Sequence, residues 1–302
     1  MKVGILFFPS KRRCNQHSIE EAEHLVSAFE RFGHQGEIYF SDNFSFTFDH
    51  KGTGLWYEDS EFQQPDLIIS WVEMLTAVAE RSSVLQQVEL LNIPTINNTD
   101  AVVWARSNLQ TIQMLSAKGL PVIKTAMVHE VDQLDLAVKH IDSFPVVVKA
   151  ICGSEGKGVA IFESYRSLKS GIELMLNQKI SIDEILIQEF VDTGNKDYRL
   201  FVVGGAVVAQ MERSAPKGDF RANLSGGGSG QPADLPSEVL ELAVKAAEVF
   251  KLDVAGIDIL LSDAGPVICE VNSRPGYKIE KITGVDVTGA IVKYAETLVL
   301  SP

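Results

Sequence analysis

The stretch Val267–Gly276, VICEVNSRPG, runs three apolar residues into Glu270 and sets one more between Glu270 and Asn272. It then turns through Ser273, Arg274, Pro275 and Gly276. A strand with the composition of a buried one thus ends in a carboxylate, an amide and a guanidinium. Charge in such a place is costly unless something binds it. The preceding run, Val254–Gly265 (VAGIDILLSDAG), is also apolar, and the two read as a hairpin. With the turn centred on Ala264, Asp258 lies opposite Glu270. Side chains alternate along a strand, so Asp258, Glu270 and Asn272 share one face. The interleaved Ile257, Ile259, Ile268 and Val271 are apolar and mark the other face as buried. Like charges directly opposite one another repel, and a divalent cation reverses the sign of that interaction. Two carboxylates and an amide oxygen suit magnesium, which keeps its other positions for water and phosphate.

Upstream, the chain divides into three parts. Residues 1–98 alternate strands and helices: KVGILFF, EIYF, DLIIS and PTIN as strands, IEEAEHLVSAFERFG and MLTAVAERSSVLQQVELL as helices. Ser18 and Glu21 have capping-box spacing. The pattern predicts a small parallel sheet covered by helices. Residues 99–190 begin with helical LQTIQMLSAKG and carry PVVVKAICGSEGKGVAIFES, two apolar runs around a glycine-rich turn. Residues 191–302 open with the hairpin DYRLFVV-GG-AVVAQMER. Pairing across Gly204-Gly205 sets Asp197 opposite Glu212 and Arg199 opposite Gln210, all on one face. The stretch SAPKGDFRANLSGGGSGQP reads as one long loop, and such loops are more often functional than idle.

Several segments have the chemistry of an anion site. Lys149, Gly153, Gly156, Lys157 and Gly158 combine point charge with backbone that can approach a phosphate closely. Gln188 and Glu189 close an apolar strand that can offer backbone donors and acceptors to a base edge. Arg213, Lys217, Arg221 and Asn223 concentrate cations in an acidic chain. Each has a plain structural alternative: a glycine turn, a strand end, a solvated loop.

Lys and Arg number 27 against 40 Asp and Glu, a formal net charge of −13 over 302 residues. That balance argues against general binding of nucleic acid or of an anionic membrane. Cys14, Cys152 and Cys269 are too widely spaced for a zinc motif or a paired framework. No apolar run reaches the ~20 residues of a membrane span, and the N-terminus lacks the order of a secretory signal. The expectation is a soluble, cytoplasmic protein.

Taken together, the quoted segments resemble the ATP-grasp superfamily, in its RimK-like branch of glutamate and amino-acid ligases. The resemblance covers roughly residues 90–300. It implies an α/β (α+β) ATP-grasp fold with an N-terminal Rossmann-like pre-ATP-grasp domain: residues 1–98, then subdomains 99–190 and 191–302. It implies ATP and Mg2+ as cofactors, with Mn2+ possible. The implied reaction joins a carboxylate, in a small molecule or peptide, to an amino acid through an acyl phosphate. By the same resemblance Lys149 contacts phosphates and the loop Gly153–Gly158 closes over them. Gln188, Glu189, Phe190 and Val191 form the adenine hinge, and Asp197 sits near the ribose. Arg221 and Asn223 reach the phosphates and the reacting carboxylate, Arg213 supplies further charge, and Asp258, Glu270 and Asn272 hold the metal. A homodimer or tetramer is the implied assembly. Two departures stand out. Asn108 occupies the place of a usual second lysine, and Arg274 replaces a small residue, where a guanidinium could grip a substrate carboxylate. A small-molecule kinase and a weakly catalytic nucleotide-binding module are the alternative readings.

Overall fold

The computed structural model describes residues 1–8, 16–50, 52–72, 82–150, 158–177 and 185–300. The chain opens with β1 (Lys2–Phe8), α1 (Gln16–Arg31) and β2 (Gln35–Phe40). It then makes an antiparallel excursion through β3 (Phe44–Asp49), β4 (Gly52–Tyr57) and β5 (Ser60–Glu61). It returns with β6 (Leu67–Val72), α2 (Ser83–Leu90) and β7 (Thr95–Ile96). Strands in the order β2-β1-β6-β7 form the expected parallel sheet. The excursion departs from the strand–helix alternation expected there. Its reason is local: FSFTFD alternates aromatic and polar residues, the period of a half-buried strand. Phe44 and Tyr57 pack edge-on against Tyr39 of β2.

The chain continues with α3 (Thr99–Arg106), α4 (Asn108–Ala117), β8 (Thr125–Val128), α5 (Leu134–Ile141), β9 (Val146–Ala150), β10 (Val159–Phe162), α6 (Tyr165–Asn177) and β11 (Ile185–Glu189). A second sheet, order β10-β9-β11-β8, is antiparallel throughout. Val159 pairs with Lys149, so the strands on either side of the glycine-rich run are an antiparallel pair. Gly153, Gly156 and Lys157 lie outside the described residues, as do Cys14, Cys152 and the first half of the helix expected over 74–91.

The last part comprises β12 (Lys196–Val203), β13 (Ala206–Ser214), β14 (Ser229–Pro232), α7 (Ser237–Val249), β15 (Val254–Ser262), β16 (Gly265–Asn272), α8 (Lys278–Thr283) and α9 (Val287–Leu300). The third sheet has the order β14-β13-β12-β15-β16. The end of the stretch expected as one long loop is therefore strand, paired to β13 at the sheet edge. Gly230 permits it: a Cβ there would meet Ile282 at 2.8 Å and Met211 at 3.1 Å.

Packing arranges the three sheets. Ala22, Leu25 and Phe29 of α1 and Ile291, Val292 and Ala295 of α9 share one core with Ile5, Phe7, Phe201 and Met211. The first and third sheets are thereby joined across two helices. The other face of the third sheet buries α7 together with Ala101 of α3 and Leu115 of α4. The second sheet has its own core under α5 and α6, with Val146, Val148, Ile185 and Ile187 turned into it. Alternation leaves Val147, Lys149 and Gln188 on its opposite face. Ser18 and Glu21, read as a helix cap, instead sit inside α1, which already includes Gln16.

Candidate active site

The cleft is lined by Val147, Lys149 and Gln188 from the second sheet and by Asp197, Arg213, Asp258, Leu260 and Glu270 from the third. Its empty space, open solvent at the mouth included, is about 1060 Å³, on the scale of a nucleotide site. Among the expected site residues, Glu189, Phe190, Val191, Arg221 and Asn223 also line it, and so does Asn108 at the start of α4. Gly158 lies just before β10 with φ +77.

Two β-bulges set the polar geometry. On β15 and β16 the register shifts between Asp258 and Ile259: Asp258 faces Glu270, while Ile259 faces Ile268. Cys269 is the extra residue. Both Cys269 and Glu270 then line the cleft, and both Ile268 and Val271 turn into the core. On β12 and β13 a shift between Phe201 and Val202 moves the pairing by one. Asp197 lies opposite Arg213, not Glu212, and Arg199 opposite Met211, not Gln210. Glu212 faces away, toward Tyr198, Lys196 and Gln231.

The result is an alternating chain of charge. Arg199 donates from Nε and Nη2 to the two Asp258 oxygens, each at 2.7 Å. Arg213 lies 2.8 Å from Asp258 Oδ2 and donates to both Asp197 oxygens at 2.6 and 2.8 Å. Arg213 and Asp258 are buried, at 3% and 2% exposure. Burial alone would push the Asp258 carboxyl up, but the Arg199 and Arg213 guanidiniums outweigh it and hold the group below its ordinary value. Asp197 has one direct guanidinium partner; burial wins there and its carboxyl is raised. Glu270 is raised as well, by burial first and by the charge of Asp258 second.

That raised carboxyl bears on metal binding. Glu270 is the register partner of Asp258, and negative charge is under-compensated at Glu270. Asn272 lies beside them: with its amide turned to satisfy both neighbours, it donates to Glu270 Oε1 at 3.1 Å and accepts from Arg199 Nη2 at 3.3 Å. Among the described residues no three His, Cys, Asp or Glu side chains make a self-contained cage. An all-oxygen, carboxylate-poor set of this kind fits magnesium, which takes one or two carboxylates and completes its shell with water and phosphate.

The remaining expected residues are placed as follows. Lys149 Nζ is 3.9 Å from Cys269 Sγ. The Cys269 thiol is pushed up by burial, the opposite of an activated nucleophile. Arg221 is clasped by Asp219, Nη2 to Oδ2 at 2.8 Å, and its guanidinium lies 5.9 Å from the Phe220 ring. The Glu189 side chain accepts from the Lys124 backbone N–H at 2.9 Å. Arg274 is not brought to the cleft lining. It donates to Glu21 Oε2 at 3.1 Å and Ser18 Oγ at 3.2 Å, and lies 5.1 Å from the Trp71 ring, so it ties β16 to α1. Arg199 was missing from the expected set. The signal was present: it is two residues from Asp197 on one strand, hence on the same face.

A nucleotide-sized cleft between two antiparallel sheets, with a lysine on one wall and paired carboxylates on the other, defines an ATP-grasp enzyme. Residues 105–295 match the RimK-like ATP-grasp domain, and the chain belongs to that family. A probable alpha-L-glutamate ligase of Thioalkalivibrio sulfidiphilus is 41% identical over 217 residues, 71% of each chain. Another, of Methanococcoides burtonii, is 34% identical over 298 residues, covering 98% of this chain and 95% of the relative. The ATP-grasp ligase PsnB, solved with minimal precursor, Mg and ADP, has a TM-score of 0.70 at 15% identity, over 96% of this chain and 95% of that one. This last likeness shows the fold. No helix among the described residues is long and apolar enough to cross a membrane.

Proposed function

We propose that this protein is an ATP-dependent carboxylate–amine ligase that adds glutamate to a carboxylate acceptor. The observation that carries the reading is the register Asp258–Glu270 across a cleft from Lys149. The names of the relatives point to glutamate as the amine donor. The acceptor carboxylate attacks the γ-phosphorus of ATP, its new P–O bond replacing the bond to ADP. The glutamate amine then attacks the acyl carbon, loses a proton, and expels phosphate as the amide forms. Such transfer needs in-line placement and charge neutralisation more than acid–base chemistry.

The residues divide the work accordingly. Lys149, Arg221 and Arg213 neutralise charge on the transferred group. Gln188–Val191 hold the base, Asp197 the ribose side, and Asn223 the phosphate and carboxylate end. Asp258, Glu270 and Asn272 would hold Mg2+, with Mn2+ an acceptable substitute, and the ion would supply Lewis-acid charge at the phosphates. Arg199 keeps Asp258 ionised. Arg274 braces the metal-bearing strand against α1. The reaction is proposed for the cytoplasm, in a homodimer or tetramer.

The test combines purified protein, ATP, Mg2+, L-glutamate and a library of small-molecule and peptide carboxylates. ADP release that needs both glutamate and one acceptor, with a product one glutamyl residue heavier by mass spectrometry, supports the reading. A phosphorylated product without an amide contradicts it.

A further inference from the structure

The antiparallel excursion in the first part of the chain leaves an open edge. Its strands run in the order β3-β4-β5, so β3 has a neighbour on one side only. Next to its first residue, the Glu58 N–H donates to the Asn43 carbonyl at 2.8 Å. Hydrogen-bonded pairs alternate along an antiparallel ladder. Ser45, Thr47 and Asp49 therefore turn their backbone groups to β4, and Phe44, Phe46 and Phe48 turn theirs outward. The Phe44 N–H is taken by the Ser41 carbonyl. The Phe44 carbonyl, and both backbone groups of Phe46 and Phe48, have no backbone partner among the described residues.

Free edges are normally guarded by lysine, proline, a bulge or an inward-pointing charge. The run Phe44–Phe48, FSFTF, has no lysine, proline or charge, and its pairing with β4 continues without a register shift. Its three rings share one face. Phe44 packs on Tyr57 and Phe62, with ring centroids 4.9 and 5.1 Å away, at the margin of a core that includes Tyr39 and Leu55. Phe48, at the far end of the same face, stacks on Phe46 at 6.0 Å and is still 69% exposed.

We propose that β3 is a homodimer surface, pairing antiparallel with β3 of a second copy about a two-fold axis at Phe46. An axis normal to the sheet keeps the aromatic faces of both copies on one side. The two Phe46 residues then exchange N–H and carbonyl. Each Phe48 N–H donates to the Phe44 carbonyl of the other copy, and each Phe48 ring comes beside the other copy's Phe44. The charges match as well: Asp42 and His50, both exposed, come opposite one another at each end of the paired strands. A slip of two residues sets Phe48 against Asp42 and loses the match. The strand thus complements itself in hydrogen bonds, rings and charge, which favours a second copy over an unrelated chain. The inference rests on the homo-oligomer reading above and gives that oligomer a surface. The hairpin does not line the cleft, so the nucleotide reading stands apart from it.

The experiment is sedimentation equilibrium of the full chain, wild type and Phe48→Pro. Proline is tolerated on an edge strand where the N–H it removes faces outward, and melting curves check that the variant is folded. The register is read by mixing Ser45→Cys protein with Thr47→Cys protein under mild oxidation. In the proposed dimer these two exposed positions form a non-hydrogen-bonded pair with Cα atoms about 4.5 Å apart, within disulfide reach. The wild type is expected to be a dimer, or a tetramer containing this dimer. Its dissociation constant is expected to weaken at least ~10-fold in Phe48→Pro, which loses a donor and a ring on both copies. The mixture is expected to give a 45–47 cross-link between copies, mapped by mass spectrometry. An assembly unchanged in Phe48→Pro overturns the proposal, and so does the absence of that cross-link. A monomeric wild type overturns it too, whether the edge stays bare or takes an extended peptide. Each of these results leaves the ligase reading intact, because product formation tests that reading separately.

Discussion

Asp258 holds two guanidiniums and Asp197 holds one; the first carboxyl is lowered against burial and the second is raised by it. Burial alone favours the neutral form of each. The same competition occurs away from the cleft, where a single neutral donor is weighed against it. Burial raises the Asp253 carboxyl above its ordinary 3.8, and the Tyr294 hydroxyl, donating to Oδ1 at 2.5 Å, pulls it back. A folded-state value above the unfolded one means that ionisation is disfavoured on folding. Asp253 therefore costs nothing below the unfolded value and costs progressively more as pH rises through the folded value. Tyr294→Phe removes the donor. We expect it to lose roughly 1–3 kcal/mol at neutral pH, with a smaller loss once acid has protonated Asp253. Urea denaturation at several pH values reads this directly, and a loss independent of pH would contradict it.

At the scale of elements, the β15–β16 hairpin is anchored at its open end. The Asn97 side chain, buried at the end of β7, donates to the carbonyls of Val254 at 2.7 Å and Ser273 at 2.9 Å. It accepts from the Val254 N–H at 2.9 Å. One amide thus ties the first residue of β15 and the residue just past β16 to the first sheet. Asn97→Ala leaves these backbone groups buried and unpaired, and we expect it to cost roughly 2–3 kcal/mol in urea denaturation. A cost as small as that of an ordinary surface substitution would show that the anchor is not needed.

The hairpins also show what the sequence could and could not convey. The opposition of Asp258 and Glu270 was legible from strand alternation and a turn placed at Ala264. The turn pairs Ser262 with Gly265, so its centre lies half a residue earlier. The bulge at Cys269 restores the expected pair. At Gly204-Gly205 the turn was legible and the pairing beyond it was not, because the bulge near Val208 moved Asp197 onto Arg213. A bulge follows from how side chains fill the core on both faces, and no local motif announces it. Arg274 failed differently. Its type fits carboxylate recognition, but its partner Glu21 comes from a helix some 250 positions earlier in the chain. Long-range pairs of that kind leave no local trace.

For the whole molecule, a shared core under α1 and α9 makes one body of the first and third sheets, and the second sheet carries a core of its own. The cleft lies between those two bodies, so its walls belong to separately packed units. The central claim is that the pair Asp258–Glu270 on one wall receives a divalent cation carrying the phosphates of a nucleotide held by the other. Mn2+ is a paramagnetic stand-in for Mg2+. Titration of Mn2+ into protein with saturating ADP, followed by the electron paramagnetic resonance signal of free Mn2+, reports the site without any need for turnover. The account predicts a bound ion in the wild type and an affinity at least ~10-fold weaker in folded Glu270→Gln, since one direct ligand is lost. Equal Mn2+ affinity in the two proteins would contradict it.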